Sequence, residues 1–255
     1  MIQQKVFLRK EDHRYFDFEG QEYTAVSRVL DSVKEKFDEE KWSKLKAKKL
    51  GISQDEMKSQ WKKAREDSSD HGTRIHDALE HFTKHGKIDE ENLDLTPVVK
   101  SVANDHREYT RVYSENECIL YHPDFMVAGM CDKILITGTR TIYADIEDYK
   151  TNLKRGIEFS NKYNNYMLGC VSHLQDCNFN RYALQLSIYA LMYESLTKNR
   201  IRNLWIRHIP AGDLLNHRRI IVPYLRTDAL HILEDFCNTK TAGYQPVTQL
   251  EEPTF

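Results

Sequence analysis

Two runs near the middle of the chain alternate apolar and polar residues with the period of a β-strand, and each interrupts its apolar face with an acid. In Ile142-Tyr-Ala-Asp-Ile-Glu-Asp-Tyr-Lys-Thr151, one face carries Ile142, Ala144, Ile146, Asp148 and Lys150, and the other Tyr143, Asp145, Glu147 and Tyr149. In Val127-Ala-Gly-Met-Cys-Asp-Lys-Ile-Leu-Ile136, one face carries Met130, Asp132, Ile134 and Ile136. The apolar faces are expected to be buried, where an ionised group without a partner is costly. Joined by Thr137-Gly-Thr-Arg140, the runs predict a hairpin with Asp132, Asp148 and Lys150 together on one side.

The rest of the pattern alternates between helix and strand. Residues 4 to 26 alternate around Glu19-Gly20 as a small hairpin, and Ser27 can cap a helix running to about Lys36. A helix over 38 to 50 holds Trp42 among Lys41, Lys44, Lys46, Lys48 and Lys49, and Ser53-Gln-Asp-Glu56 is a capping box that opens another. Asp67-Ser-Ser-Asp-His-Gly72 is expected to break that helix. The next, Thr73 to Phe82, sets Ile75, Leu79 and Phe82 on an apolar stripe, with His76 beside it and Glu80 one turn on. A helix around 95 to 108 leads into a strand from Arg111 to Tyr121 that contains Glu115 and Glu117.

After Thr151 the chain reads as a long loop to about Asn180, with a short helix near 158 to 170. A helix from Tyr182 to Glu194 then places Gln185 and Tyr189 on one face. Strands over 203 to 209 and 218 to 222 carry a local excess of arginine that includes Arg207, and a helix closes from Thr227 to about Cys237. The fold class expected is α/β, a central mixed sheet flanked by helices. An N-terminal hairpin and helical extension over residues 1–69 would precede a core over 70–255.

Composition narrows the classes. The 255 residues are 40% hydrophobic and 30% charged with a net charge of -2, and the mean hydropathy is -0.67. No apolar run is long enough to span a bilayer, and the first residues lack the apolar core of a secretion signal, so a cytoplasmic protein with no membrane partner is expected. The near-neutral charge gives no global sign of nucleic acid and leaves that to local patches such as Trp42 with Lys44. Cys118, Cys131, Cys170, Cys177 and Cys237 form no CxxC pair and are odd in number, which argues against a disulfide framework and a zinc module.

Taken in order, Gly72/His76, Glu115 or Glu117, Gly129/Asp132, Asp148/Lys150/Thr151 and Gln185/Tyr189 make the chain resemble the PD-(D/E)XK nuclease superfamily. The closest branch in motif order is the RecB-like one, which includes phage exonucleases and the mitochondrial genome maintenance exonuclease. The resemblance covers roughly residues 70 to 222. It departs from the family pattern in having Asp148 where Glu is common, and the cysteines are too scattered for the branch's iron–sulfur cluster, so no such cluster is expected.

The resemblance implies a restriction-endonuclease-like core and a metal-dependent deoxyribonuclease, with exonuclease action favoured in replication, recombination or repair. An endonuclease of the same fold, or an inactive DNA-binding or assembly module, is the alternative. Asp132, Asp148 and Lys150 would be catalytic. Hard oxygen ligands suit Mg²⁺ or Mn²⁺, one or two ions, held by Asp132, Asp148, the Tyr149 carbonyl and His76. Lys150 would orient or help deprotonate the attacking water. Gln185, Tyr189, Thr151, Trp42, Lys44 and Arg207 would shape the site or touch DNA, with Glu80, Glu115 and Glu117 as further candidates. DNA is the partner expected, together with a single-strand annealing or single-strand binding protein, in a bacterial or phage-infected cell.

Overall fold

The two alternating runs pair with each other, as the expected hairpin requires. Val127–Thr137 (β5) and Tyr143–Lys150 (β6) run antiparallel in the computed structural model, with Ile134 opposite Ile146 and Ile136 opposite Ala144. Asp132 precedes Ile134 by two residues and Asp148 follows Ile146 by two, so both acids reach the same end of the same face. The structure describes residues 2–106, 114–138, 142–151 and 156–242. Part of the turn expected at 137–140, and the first residues of the strand expected from Arg111, lie outside them.

Around this hairpin the sheet continues on both sides. Val6–Arg9 (β1), Arg14–Asp17 (β2) and Glu22–Ala25 (β3) form an antiparallel meander, and β3 runs parallel to the start of β5. Ser114–His122 (β4) lines one edge of β5 from Val127 to Leu135. β3 and β6 must therefore share the other edge, β3 against Val127 and Ala128 and β6 from Lys133 onward, leaving Gly129–Asp132 between them. Arg200–His208 (β7) is parallel to β6, and Arg218–Val222 (β8) is antiparallel to β7.

Helices cover both faces. Val26–Asp31 (α1), Asn178–Thr197 (α5) and Arg226–Ala242 (α6) pack on one, where Val29, Leu184, Ile188, Met192 and Ile232 meet Ile134, Ile146 and Ile206. α5 is also the crossover that two parallel strands require. On the other, Gln54–His85 (α3) and Thr96–Asp105 (α4) bring Ile75, Leu79, Val98 and Val102 against Tyr149 and Ile209. This second layer changes the reading of β6. Asp145 and Glu147, alternate to the apolar set, are also fully buried; Arg202 binds Asp145, while Arg207 and Arg219 bind Glu147.

Four expectations need correction. The break at Asp67–Gly72 does not form, and α3 runs unbroken for 32 residues. The propensity cost of a mid-helix glycine is only about 1 kcal/mol, and a Cβ on Gly72 would stand 3.0 Å from Thr151 Oγ1. Glycine there lets α3 approach the end of β6. The helix near 158–170 is likewise missing among the described residues; that segment has one 3-10 turn, Gly169–Val171. Asn161, Asn164, Gln175 and Asn178 instead bond main chain or one another, the competition that keeps Asn-rich segments out of helices. Finally, α1 stops at Asp31 rather than near Lys36, and β1–β3 form a meander joined to the main sheet rather than a lone hairpin.

Glu39–Leu50 (α2) begins on Asp38 and ends on Gly51 in the left-handed conformation. Ser53 caps α3, its hydroxyl accepting from the Glu56 amide at 3.1 Å. Ser53→Ala is expected to cost about 1 kcal/mol, a fall of about 2–4 °C in the thermal midpoint. An unchanged midpoint would mean that the start of α3 frays apart from global unfolding. Among the described residues no helix is long and apolar enough to cross a membrane. All five cysteines are free.

Candidate metal and active site

The gap in the sheet between β3 and β6 is where the candidate side chains meet. Asp132 is held there from two directions: its Oδ2 accepts the Tyr149 amide at 2.6 Å, and its Oδ1 lies 3.5 Å from His76 Nδ1 on α3. Tyr149 enters through that amide, and its ring stands edge-on to the His76 imidazole with centroids 5.6 Å apart. Burial raises the Asp132 carboxyl, but His76, Lys150 and the Tyr149 amide together hold it below the usual range. For His76 burial lowers and Asp132 raises, and Asp132 wins, pushing the imidazole up to about 9. An imidazolium must shed its proton before it can ligate.

Glu117 completes this group. It sits in β4 between the pairs Asn116–Lys133 and Cys118–Cys131, with its backbone at φ 50°, a left-handed conformation that costs a non-glycine residue of order 1–3 kcal/mol. Ligand atoms of His76, Glu117 and Asp132 all lie within 4.8 Å of one another. Burial, with Asp132 and Glu80 nearby, pushes the Glu117 carboxyl up to about 7. One imidazole and two carboxylates crowded this closely could hold a metal ion.

Asp148 and Lys150 stand beside that trio. Asp148 is 2% exposed and its carboxylate is ion-paired with Lys150 Nζ. Burial and the Asp132 charge push Asp148 up to about 6 even though Lys150 opposes them. Burial would lower Lys150, but Asp148 and Asp132 outweigh it and keep the side chain an ammonium. Lys150 in this state can donate to and orient a water or a phosphate oxygen; it cannot accept a proton. Its Nζ also lies 3.4 Å from Gln185 Oε1 and 4.7 Å from the centre of the Tyr182 ring.

No protein-family model matches the chain, and no curated protein matches it. Among solved structures, a protein from Eubacterium rectale provisionally named an exonuclease is 13% identical over 72% of this chain and 77% of its own, with a TM-score of 0.39. The protein SSO0001 is 10% identical over 66% of this chain and 72% of its own, with a TM-score of 0.27. Likenesses this slight carry no weight for fold or chemistry.

The other expected site residues divide by position. Gln185 and Tyr189 face Lys150 from α5, joined by an amide-to-phenol hydrogen bond of 3.1 Å, and Tyr189 is 5% exposed. Thr151 follows Lys150 against Gly72. Trp42 and Lys44 lie on the exposed face of α2, with Lys41 Nζ 5.6 Å from the centre of the Trp42 ring. Glu80 pairs with Lys84 along α3, and Glu115 accepts from the Cys118 thiol. Arg207 is a correction. Expected on a basic DNA-facing patch, it is 0% exposed, and its guanidinium binds Glu147 and Asp105 beneath α4.

Two residues around the candidate site escaped the sequence. Tyr182, read only as a helix start, supplies the ring beside Lys150. Glu147 anchors the ion cluster on the back of β6; the signal was available in its alternation with Asp145, had both faces been taken as buried.

Proposed function

We propose that the chain is a divalent-metal-dependent deoxyribonuclease that hydrolyses phosphodiester bonds at DNA ends or in single strands. The observation that carries this reading is the meeting of His76, Glu117 and Asp132 within one ligand-sized space, beside a lysine held as an ammonium against Asp148. His76, Glu117 and Asp132, with Asp148 once Lys150 releases it, would hold one ion. A bound Mg²⁺ or Mn²⁺ acidifies its water, positions the phosphate and offsets the charge that grows on the leaving oxygen. Lys150 would orient the attacking water and meet charge developing on the phosphate. Trp42 and Lys44 offer a ring and a cation on an exposed helix, the combination that a single strand stacks and tracks upon.

End-labelled single- and double-stranded linear DNA and covalently closed circles, each incubated with Mg²⁺, Mn²⁺ or EDTA, test the reading. Linear substrates should be degraded with either ion and not with EDTA, while closed circles stay intact. Cutting of the circles would make the enzyme an endonuclease. Linear DNA that survives both ions would remove the nuclease reading.

A further inference from the structure

We infer that Gln185 and Tyr189 are positioning residues that give Lys150 a second anchor, so that its ammonium can leave Asp148 when a divalent ion takes that carboxylate. The inference rests on the metal-site reading above. Lys150 and an ion compete for the same buried acid, since the ammonium already sits on the Asp148 carboxylate. Two cations that close together repel. A displaced ammonium left without a partner in a site where its side chain is only 18% exposed would also be costly. Gln185 Oε1 on α5 is the acceptor waiting for it, 3.4 Å from Nζ.

What aims that oxygen is Tyr189. The Gln185 amide nitrogen donates to the Tyr189 hydroxyl at 3.1 Å, which leaves its oxygen turned to Lys150. Tyr189 lies four residues on, one turn along α5, and its buried ring fills the space beside Gly129 in β5. A Cβ on Gly129 would stand 2.7 Å from Tyr189 Cε1 and 3.2 Å from its hydroxyl. Gly129 has no left-handed φ, so room for the ring, not backbone conformation, is what calls for glycine there. Gly129, Tyr189, Gln185 and Lys150 thus form one continuous line from the sheet gap to the amine.

Mn²⁺ binding by the full chain, measured by calorimetry without DNA, tests this. Gln185→Leu should weaken Mn²⁺ binding roughly tenfold, the worth of one hydrogen bond to a charged group. Tyr189→Phe should weaken it less and leave the ion-free thermal midpoint nearly unchanged. In a Lys150→Ala background, adding Gln185→Leu should change nothing, because there is no ammonium left to anchor. Equal weakening with and without Lys150 would overturn the inference, as would unchanged affinity in Gln185→Leu. If the wild-type chain takes up no Mn²⁺, the metal-site reading falls, and this inference with it.

Discussion

Asp148→Asn is expected to reduce Mg²⁺-supported DNA cleavage on the order of a thousandfold or more, the scale of losing a group that stabilises charge at the reacting centre. The carboxamide keeps the shape of the side chain, so the loss can be assigned to charge. Lys150→Met should act on the same scale, because the ammonium that would meet the phosphate is gone while the aliphatic stem remains. Neither change should unfold the protein, since without Lys150 the Asp148 carboxyl, which burial already pushes up to about 6, takes up a proton instead of staying a buried charge. Without Asp148, Lys150 keeps Gln185, the Tyr182 ring and a partly exposed side chain, so it loses less than a sealed ion pair would. Circular dichroism should be unchanged, and DNA affinity measured with Ca²⁺ in place of Mg²⁺ should stay within about threefold, roughly 0.7 kcal/mol. Cleavage that persists in both variants would show that the site lies elsewhere.

How far the site could be read beforehand depended on whether its geometry is local. The alternation of Ile134 and Ile136 against Ala144 and Ile146 specifies which residues share a face, and pairing two such strands brings Asp132 and Asp148 to one end. Gln185 and Tyr189 are legible as neighbours because four residues make one helical turn. That Gln185 meets Lys150 is a tertiary fact, set by how α5 crosses β6, and no spacing within α5 contains it. The same limit hid Arg207. An arginine on an alternating strand looks like surface charge until α4 is known to cover that face and Asp105 to close over it. Glu117 was visible as an acid on a strand, but its left-handed backbone, which accompanies its place with His76 and Asp132, has no signature in the residues around it. At Asp67–Gly72 local propensity pointed the wrong way, since packing on both sides of a short weak run outweighs the run itself.

Arg207→Met is expected to be among the most destabilising single changes in the protein, at about 3–5 kcal/mol, against a total stability of about 5–15 kcal/mol for a folded domain. Arg207 is completely buried, with Nε 2.5 Å from Glu147 Oε1 and Nη1 2.5 Å from Asp105 Oδ2. Arg219 and His106 also hold Glu147, at 2.8 and 3.1 Å, so methionine leaves a sealed carboxylate short of one cation rather than with none. Burial alone would raise the Glu147 carboxyl, but His106, Arg207 and Arg219 hold it well below its ordinary value of 4.5. A folded-state pKa below the unfolded one means stabilisation that is full above about 4.5 and lost as pH falls toward the folded value. Glu147→Gln should therefore separate from wild type in urea unfolding at pH 7, with the gap closing as the pH is taken below 4. Arg207→Met discriminates between the buried cluster and the DNA patch expected of this arginine. The cluster predicts a large loss of stability and DNA affinity that is normal whenever the variant is folded, whereas a backbone contact predicts the reverse, with weaker and less salt-sensitive binding on an intact fold.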